Sequence, residues 1–242
     1  MLRSVNFSGL PQGSITGKLL RLPLKLLPEE TVVPVIQGPL RGMRWISGSS
    51  THGCWLGSYE YRKQRLFAAI IDKGNMVWDV GANVGFYTLL AAKMASRVIA
   101  IEPLPENLSY LKKHIRLNGI SNVEVIAAAA GSSCGRQSFC CGGNRSTGYL
   151  GSGNCEVDVI TLDSMLERVG VPDVIKIDVE GAEYSVLQNS VRCLAAHPVI
   201  FLATHSATLT EQCSRLLTST GYEYTMLDEG EFVFSHPAAS VQ

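Results

Sequence analysis

The run MVWDVGANVGFYTLL, Met76 to Leu90, sets the narrowest limits on how this chain can fold. An apolar β-type stretch enters an acid and two glycines and passes at once into a helix-type stretch, the opening of a parallel α/β unit. Asp79, Gly81 and Gly85 follow the pattern acid, x, Gly, x, x, x, Gly, and bare glycine backbone lets a ligand come close to the turn. The dinucleotide fingerprint has its second glycine where this chain has Asn83, so a pyrophosphate is not the expected guest. An acid ahead of the first glycine suits a cation, and S-adenosylmethionine brings an ammonium and a sulfonium without a phosphate. The turn reads as a methyl-donor site.

The rest of the chain alternates strand and helix patterns as a parallel sheet requires. Two short antiparallel strands come first, Thr31 to Ile36 and Arg41 to Ser47, then a helix from Tyr61 to Ile71. Strand Met76 to Val80, helix Phe86 to Ala95, strand Val98 to Ile101, helix Pro105 to Asn118 and strand Val123 to Ala129 follow. Pro105 suits a first helical turn, and Gly119 stops that helix. From Gly131 to Asn154 the pattern dissolves, with Arg136 to Cys140 and Glu156 to Thr161 able to pair as a hairpin around a mobile loop. Order resumes with strand Asp173 to Asp178, helix Ala182 to Ser190, strand Val199 to Thr204, helix Leu209 to Thr220 and a closing hairpin, Glu223 to Leu227 with Glu231 to Phe234. The expected fold is α/β, a doubly wound, mostly parallel seven-stranded sheet with a terminal antiparallel hairpin. Residues 1–60 form a small lead-in and 61–242 the main domain, the two making one compact unit.

In such a fold ligands bind beyond the carboxyl ends of the strands. That rule selects Asp79 and Gly81 to Gly85 after the first strand and Glu102 after the second, about 20 residues on, where a carboxylate can accept from both ribose hydroxyls. The run DVIKIDVEGAE, Asp173 to Glu183, is the other informative stretch. Lys176, Asp178 and Glu180 share one strand face, and Ile175, Ile177 and Val179 the other. Charges on a central strand cost several kcal/mol unless paired, so a paired, partly solvated site at the strand end is expected, whether structural or functional.

Composition narrows the partners. Lys and Arg number 21, as do Asp and Glu, so no overall attraction to nucleic acid is built in. The seven cysteines lack CxxC spacing and read as reduced thiols, which points to the cytoplasm. Gly17 to Glu30 mixes leucines with Lys18, Arg21 and Lys25, which break any signal-peptide core, so a surface helix or a basic membrane-touching segment is expected there. No stretch approaches the roughly 20 apolar residues of a membrane span. His52, His114, His197 and His236 show no ligand spacing with a cysteine or acid, and no zinc site is expected.

The runs GNMVWDVGANVGFYTLLAAK, EPLPENLSYLKKHIRLN and VIKIDVEGAEYSVL resemble the FkbM family of S-adenosylmethionine-dependent methyltransferases, and GPLRGMRW with GCWLGSYE is similar to that family's lead-in, so the resemblance spans about residues 28–235. It implies a class I methyltransferase fold, Rossmann-like, and methylation of a hydroxyl on a sugar, glycan or other secondary metabolite. Carried over, Asp79, Gly81, Asn83 and Gly85, with Ala82, hold the methionine moiety. Glu102 and Pro103 border the ribose, Ala129 to Ser132 the adenine, and Asn107 gives local support. Asp178 faces the donor. The chain departs from the family pattern at Ser132, where members often carry Asp, and at Ala203, where Ala203, Thr204, His205 replaces Glu, x, His.

Methyl transfer to an alcohol needs alignment and removal of a proton. His205 is the expected general base. Asp178 could take the proton, orient His205 or, with Glu180, ligate a divalent metal, and Lys176 could stabilise alkoxide charge. Tyr59 and Glu60 are expected at the acceptor pocket. The rival readings are a donor-binding module without catalysis and a nicotinamide oxidoreductase, which would want glycine at Asn83.

Overall fold

The computed structural model describes residues 27–141, 148–150, 153 and 155–238. Most of the leucine-rich segment from Gly17 and most of the loose loop after Cys141 lie outside the described residues. The chain opens with β1 (Val32–Pro34) and β2 (Arg44–Ile46), an antiparallel pair, then α1 (His52–Leu56) and α2 (Tyr61–Ile70). Alternation follows: β3 (Met76–Val80), α3 (Phe86–Met94), β4 (Arg97–Ile101), α4 (Pro105–Leu117) and β5 (Val123–Ile126). Four strands come next, β6 (Ala129–Ala130), β7 (Gly135–Cys141), β8 (Gly148–Leu150) and β9 (Cys155–Ile160), and then α5 (Leu162–Val169) and β10 (Val174–Ile177). The chain finishes with α6 (Glu183–Gln188), α7 (Val191–Leu194), β11 (Val199–Ala203), α8 (Ala207–Ser219), β12 (Glu223–Asp228) and β13 (Glu231–Ser235).

The main sheet has seven strands in the order β12-β13-β11-β10-β3-β4-β5, parallel except for the β12-β13 hairpin against β11. Strand order reverses between β3 and β10, the switch point at which this architecture opens a crevice. Both faces are covered. Trp78, Ile99, Ile175, Ile177, Ile200 and Leu202 pack under α5, α6 and α8, and Val77, Val98, Val174 and Phe201 pack with α3 and the lead-in. Burial on two faces explains the continuous β-branched runs, each such side chain contributing about 1.5–3 kcal/mol. Local signals fix the helices. Pro105 opens α4, the Thr161 hydroxyl accepts from Ser164 N at 3.2 Å ahead of α5, and Ser206 accepts from Leu209 N at 3.2 Å ahead of α8.

Four differences from the expected elements have physical causes. The strand expected from Val123 to Ala129 breaks, because Ala128 N turns back to Ile126 O at 3.1 Å and sends β6 away to pair in parallel with β9. The smaller sheet thus formed has the order β6-β9-β7-β8, so part of the pattern-free stretch is strand β8. Helix α1 is an added element, ended by Gly57 in the left-handed region at φ 70. Cys155 is disulfide-bonded, which overturns the reading of all cysteines as reduced; strand pairing brings distant residues together in a way their spacing does not reveal. Cys54, Cys134, Cys140, Cys193 and Cys213 are free thiols. No helix among the described residues is long and apolar enough to cross a membrane.

Candidate active site

At the switch point a cleft of about 580 Å³ opens beyond the ends of β3, β4 and β10, lined by Gly81, Asn83, Glu102, Pro103, Asn107, Ala129, Phe139, Asp178 and Glu180 among others. Glu102 is its best-defined wall. The carboxylate is nearly buried and accepts from Asn83 N at 2.8 Å, Leu104 N at 2.9 Å and Asn107 Nδ2 at 3.2 Å. Burial raises its pKa against these donors. Two carboxylate oxygens offer about four lone-pair positions, so one or more remains for a ligand in the cleft. Asn83 stands in the left-handed region at φ 50, its side chain accepting from Val84 N at 2.8 Å, and this bend aims its own N–H at Glu102.

The glycines serve the turn differently from the expectation. A Cβ on Gly81 would lie 1.8 Å from Asp178 O, and one on Gly85 would lie 2.5 Å from Leu111 Cδ1, at φ 77 and 99. Backbone packing, more than ligand contact, demands them. Asp79 lies deeper than the turn's backbone. It is fully buried beneath the turn, accepting from Thr88 Oγ1 at 2.6 Å and facing Lys176 Nζ at 3.4 Å, and it lines neither cavity described here. Its side chain lies on the inner face of β3, opposite Lys176 in register, so it supports the floor of the site. Lys176 donates to Gly81 O at 2.6 Å and lies 3.6 Å from Asp178. Burial opposes its charge, and Asp79 and Asp178 override this to raise its pKa.

A second cavity, about 370 Å³, lies alongside and shares Asn83 and Asp178 with the first. Tyr59, Phe86 and Tyr87 line it with Ala82 and Lys176. Glu60 is next to this wall, accepting from Tyr87 Oη at 2.7 Å and pairing with Lys63 at 3.0 Å. At the rim, Asp178 Oδ1 and Glu180 Oε2 lie 3.5 and 3.4 Å from His205 Nε2, while His205 Nδ1 meets Glu183 Oε1 at 2.7 Å. Glu180 lies beyond β10 with φ 51, so it reaches the rim through a bend in the backbone and not through the strand's alternation. The Glu183 bond, against burial and with help from Glu180, pushes the His205 pKa to about 9. Burial opposes ionisation of Asp178, but Lys176 and Lys63 override it and lower its pKa; burial raises that of Glu180.

The sequence profile of the methyltransferase FkbM domain matches residues 79–224. The chain belongs to this family. AglP, the hexuronic acid methyltransferase of Haloferax volcanii, is 27% identical over 175 residues, covering 69% of this chain and 72% of AglP. Protein MJ1452 of Methanocaldococcus jannaschii is 38% identical over 61 residues, 25% of this chain, and the match spans only 24% of that protein. The FkbM methyltransferase structure from Methylobacillus flagellatus KT superposes with a TM-score of 0.57 at 22% identity, covering 74% of this chain and 48% of that one. Its likeness confirms the class I methyltransferase fold.

The cofactor of this methyltransferase family is S-adenosylmethionine, and the residues present fit it: the cleft holds a carboxylate with acceptor capacity left over, and an aromatic ring, Phe139, lines the same cleft. Ala203 pairs with Glu231 on the neighbouring strand, and directly opposed residues share a face. Glu231 approaches Lys63 at 2.6 Å, so the strand beside Ala203 carries an acid paired with a lysine of α2. Burial opposes the Lys63 charge, and Glu60 and Glu231 override it to raise its pKa. Sequence reasoning missed Phe139 in the cleft, Glu183 against His205, and the Lys63–Glu231 pair behind the second cavity's wall. The second acid of the EGAE run was the one available signal, for Glu183.

Proposed function

We propose that this FkbM protein is an S-adenosylmethionine-dependent O-methyltransferase acting on a hydroxyl of a sugar or sugar acid. One observation carries the reading: two cavities, one with a ribose-type carboxylate and one with an aromatic wall, share Asn83 and Asp178. The first would hold the donor, with Glu102 on the ribose hydroxyls, Phe139 and Ala129 beside the base, and Gly81 and Asn83 near the methionine end. When bound, S-adenosylmethionine supplies a methyl group activated by its sulfonium. The name of AglP, a hexuronic acid methyltransferase, favours a sugar acid as acceptor.

The chain's own residues would act by placement and proton handling. Tyr59, Phe86 and Tyr87 exclude water from the second cavity, and Asp178 at the shared wall orients the acceptor hydroxyl. Asp178, Glu180, His205 and Glu183 interact closely enough to exchange protons as a unit, and the hydroxyl proton passes to that unit. Lys176 holds the Asp178 carboxylate ionised and the Gly81 carbonyl in place. The reading is tested by incubating the protein with labelled S-adenosylmethionine and a panel of uronic-acid glycosides and neutral glycosides. Methyl transfer to a uronic-acid glycoside, seen as a 14 Da mass gain with release of S-adenosylhomocysteine, is expected. Donor binding with no transfer to any glycoside would replace it with a donor-binding module.

A further inference from the structure

We propose that Asp178, Glu180 and His205 bind one first-row divalent cation at the rim shared by the two cavities. The proposal deepens the reading above and rests on it only for what the ion would do there. Among the described residues these three form the one set whose ligand atoms converge, all lying within 4.8 Å of one another. They come from separate places in the fold: Asp178 follows β10, Glu180 lies on the bend beyond it, and His205 follows β11.

The distances distinguish an ion site from an ion pair. A charge-assisted N–H···O bond is about 2.7–2.9 Å long, and His205 makes one such contact, from Nδ1 to Glu183 at 2.7 Å. Nε2 lies 3.5 Å from Asp178 and 3.4 Å from Glu180, too far to donate well to either and evenly set between them. A point equidistant from three atoms spaced in this way lies roughly 2 Å from each, the length of a bond from a divalent cation to imidazole or carboxylate. Two carboxylates and one imidazole form a mixed donor set on one side, leaving positions toward the cavities for water or an acceptor oxygen.

Two further features point the same way. Glu183 is fully buried and holds His205 by the nitrogen away from the convergence point, the outer carboxylate that metal-ligating histidines commonly have. Glu180 adopts left-handed backbone, uncommon for a residue with a side chain, and that conformation brings its carboxylate to the rim. Asp178, Glu180 and Glu183 surround His205 with three carboxylates, and Lys176 lies near Asp178, so a dication that displaces the Nε2 proton of His205 would offset their charge. At this place the ion would bind an acceptor's hydroxyl oxygen, and a neighbouring hydroxyl or carboxylate of a sugar acid could chelate it.

Titration of chelator-stripped protein with MnCl₂, followed by loss of the free Mn²⁺ electron paramagnetic resonance signal, tests the site. One saturable site per chain is expected, weakened at least tenfold in Glu180→Gln and His205→Ala and about tenfold or more in Glu183→Gln. Glu180→Gln removes no buried partner, and its thermal unfolding should match wild type. Absence of a saturable site, or equal Mn²⁺ affinity in wild type, Glu180→Gln and His205→Ala, would overturn the proposal. Calorimetric binding of S-adenosylhomocysteine to wild-type protein separates the two readings: its absence removes the methyltransferase reading and leaves the ion result standing.

Discussion

His114 and His205 occupy opposite kinds of seat. His114, on α4 under the lead-in, is fully buried, stacks on Trp45 at 4.0 Å and has both nitrogens in use, Nδ1 donating to Val84 O at 2.8 Å and Nε2 accepting from Ile46 N at 3.1 Å. Burial lowers its pKa to about 4, so it stays neutral and joins two parts of the structure. His205 has one nitrogen fixed by Glu183 and the other turned to two carboxylates at a cavity rim, and its pKa goes up, to about 9. At His114 the fold closes every hydrogen-bonding position; at His205 it fixes one nitrogen and leaves the other facing charges, open to a proton or a ligand.

The largest effect that would break this contrast is on turnover. His205→Ala should reduce methyl transfer about 10²–10⁴-fold with S-adenosylmethionine affinity unchanged, measured by product formation and calorimetry. Undiminished turnover would place His205 with His114. Glu183→Gln sharpens the contrast, because it keeps the side chain's shape and removes the charge that fixes the ring. Turnover should fall about 10–100-fold with little change in donor affinity, and loss of fold in place of activity would make Glu183 structural.

A smaller effect belongs to His114 and concerns stability. Its folded pKa, about 4, lies below the unfolded value, so the unfolded chain binds the proton first as pH falls. Stability from this group is therefore intact above about pH 6.5 and is lost between there and about pH 4, by up to about 1.4 kcal/mol per pH unit. Thermal midpoints should decline more steeply over that window in wild type than in His114→Gln. Parallel declines would mean that His114 does not carry the effect.

The same contrast shows what could be read from the chain and what could not. Strand and helix periodicity located β3, β4, β10 and β11, and the strand-end rule then led to Glu102, Asp178 and His205, all of which the fold brings to one rim or cleft. For Asp79 the motif marked an acid ahead of Gly81, but it does not reveal that Lys176 on the neighbouring strand and Thr88 on α3 enclose that carboxylate. Lys63 and Glu231 escaped notice because their pairing depends on α2 and β13 meeting across 168 positions, 231 minus 63. Phe139 reaches the cleft only because the chain leaves the main sheet at Ile126 and builds a second one, and no local pattern marks that break.

The most direct test of the account is calorimetric titration of wild type, Glu102→Ala and His205→Ala with S-adenosylhomocysteine. One site in wild type, weakened about 10–100-fold by Glu102→Ala through loss of charge-assisted bonds and unchanged by His205→Ala, is the predicted result. No binding to wild type, or equal affinity in wild type and Glu102→Ala, would contradict it.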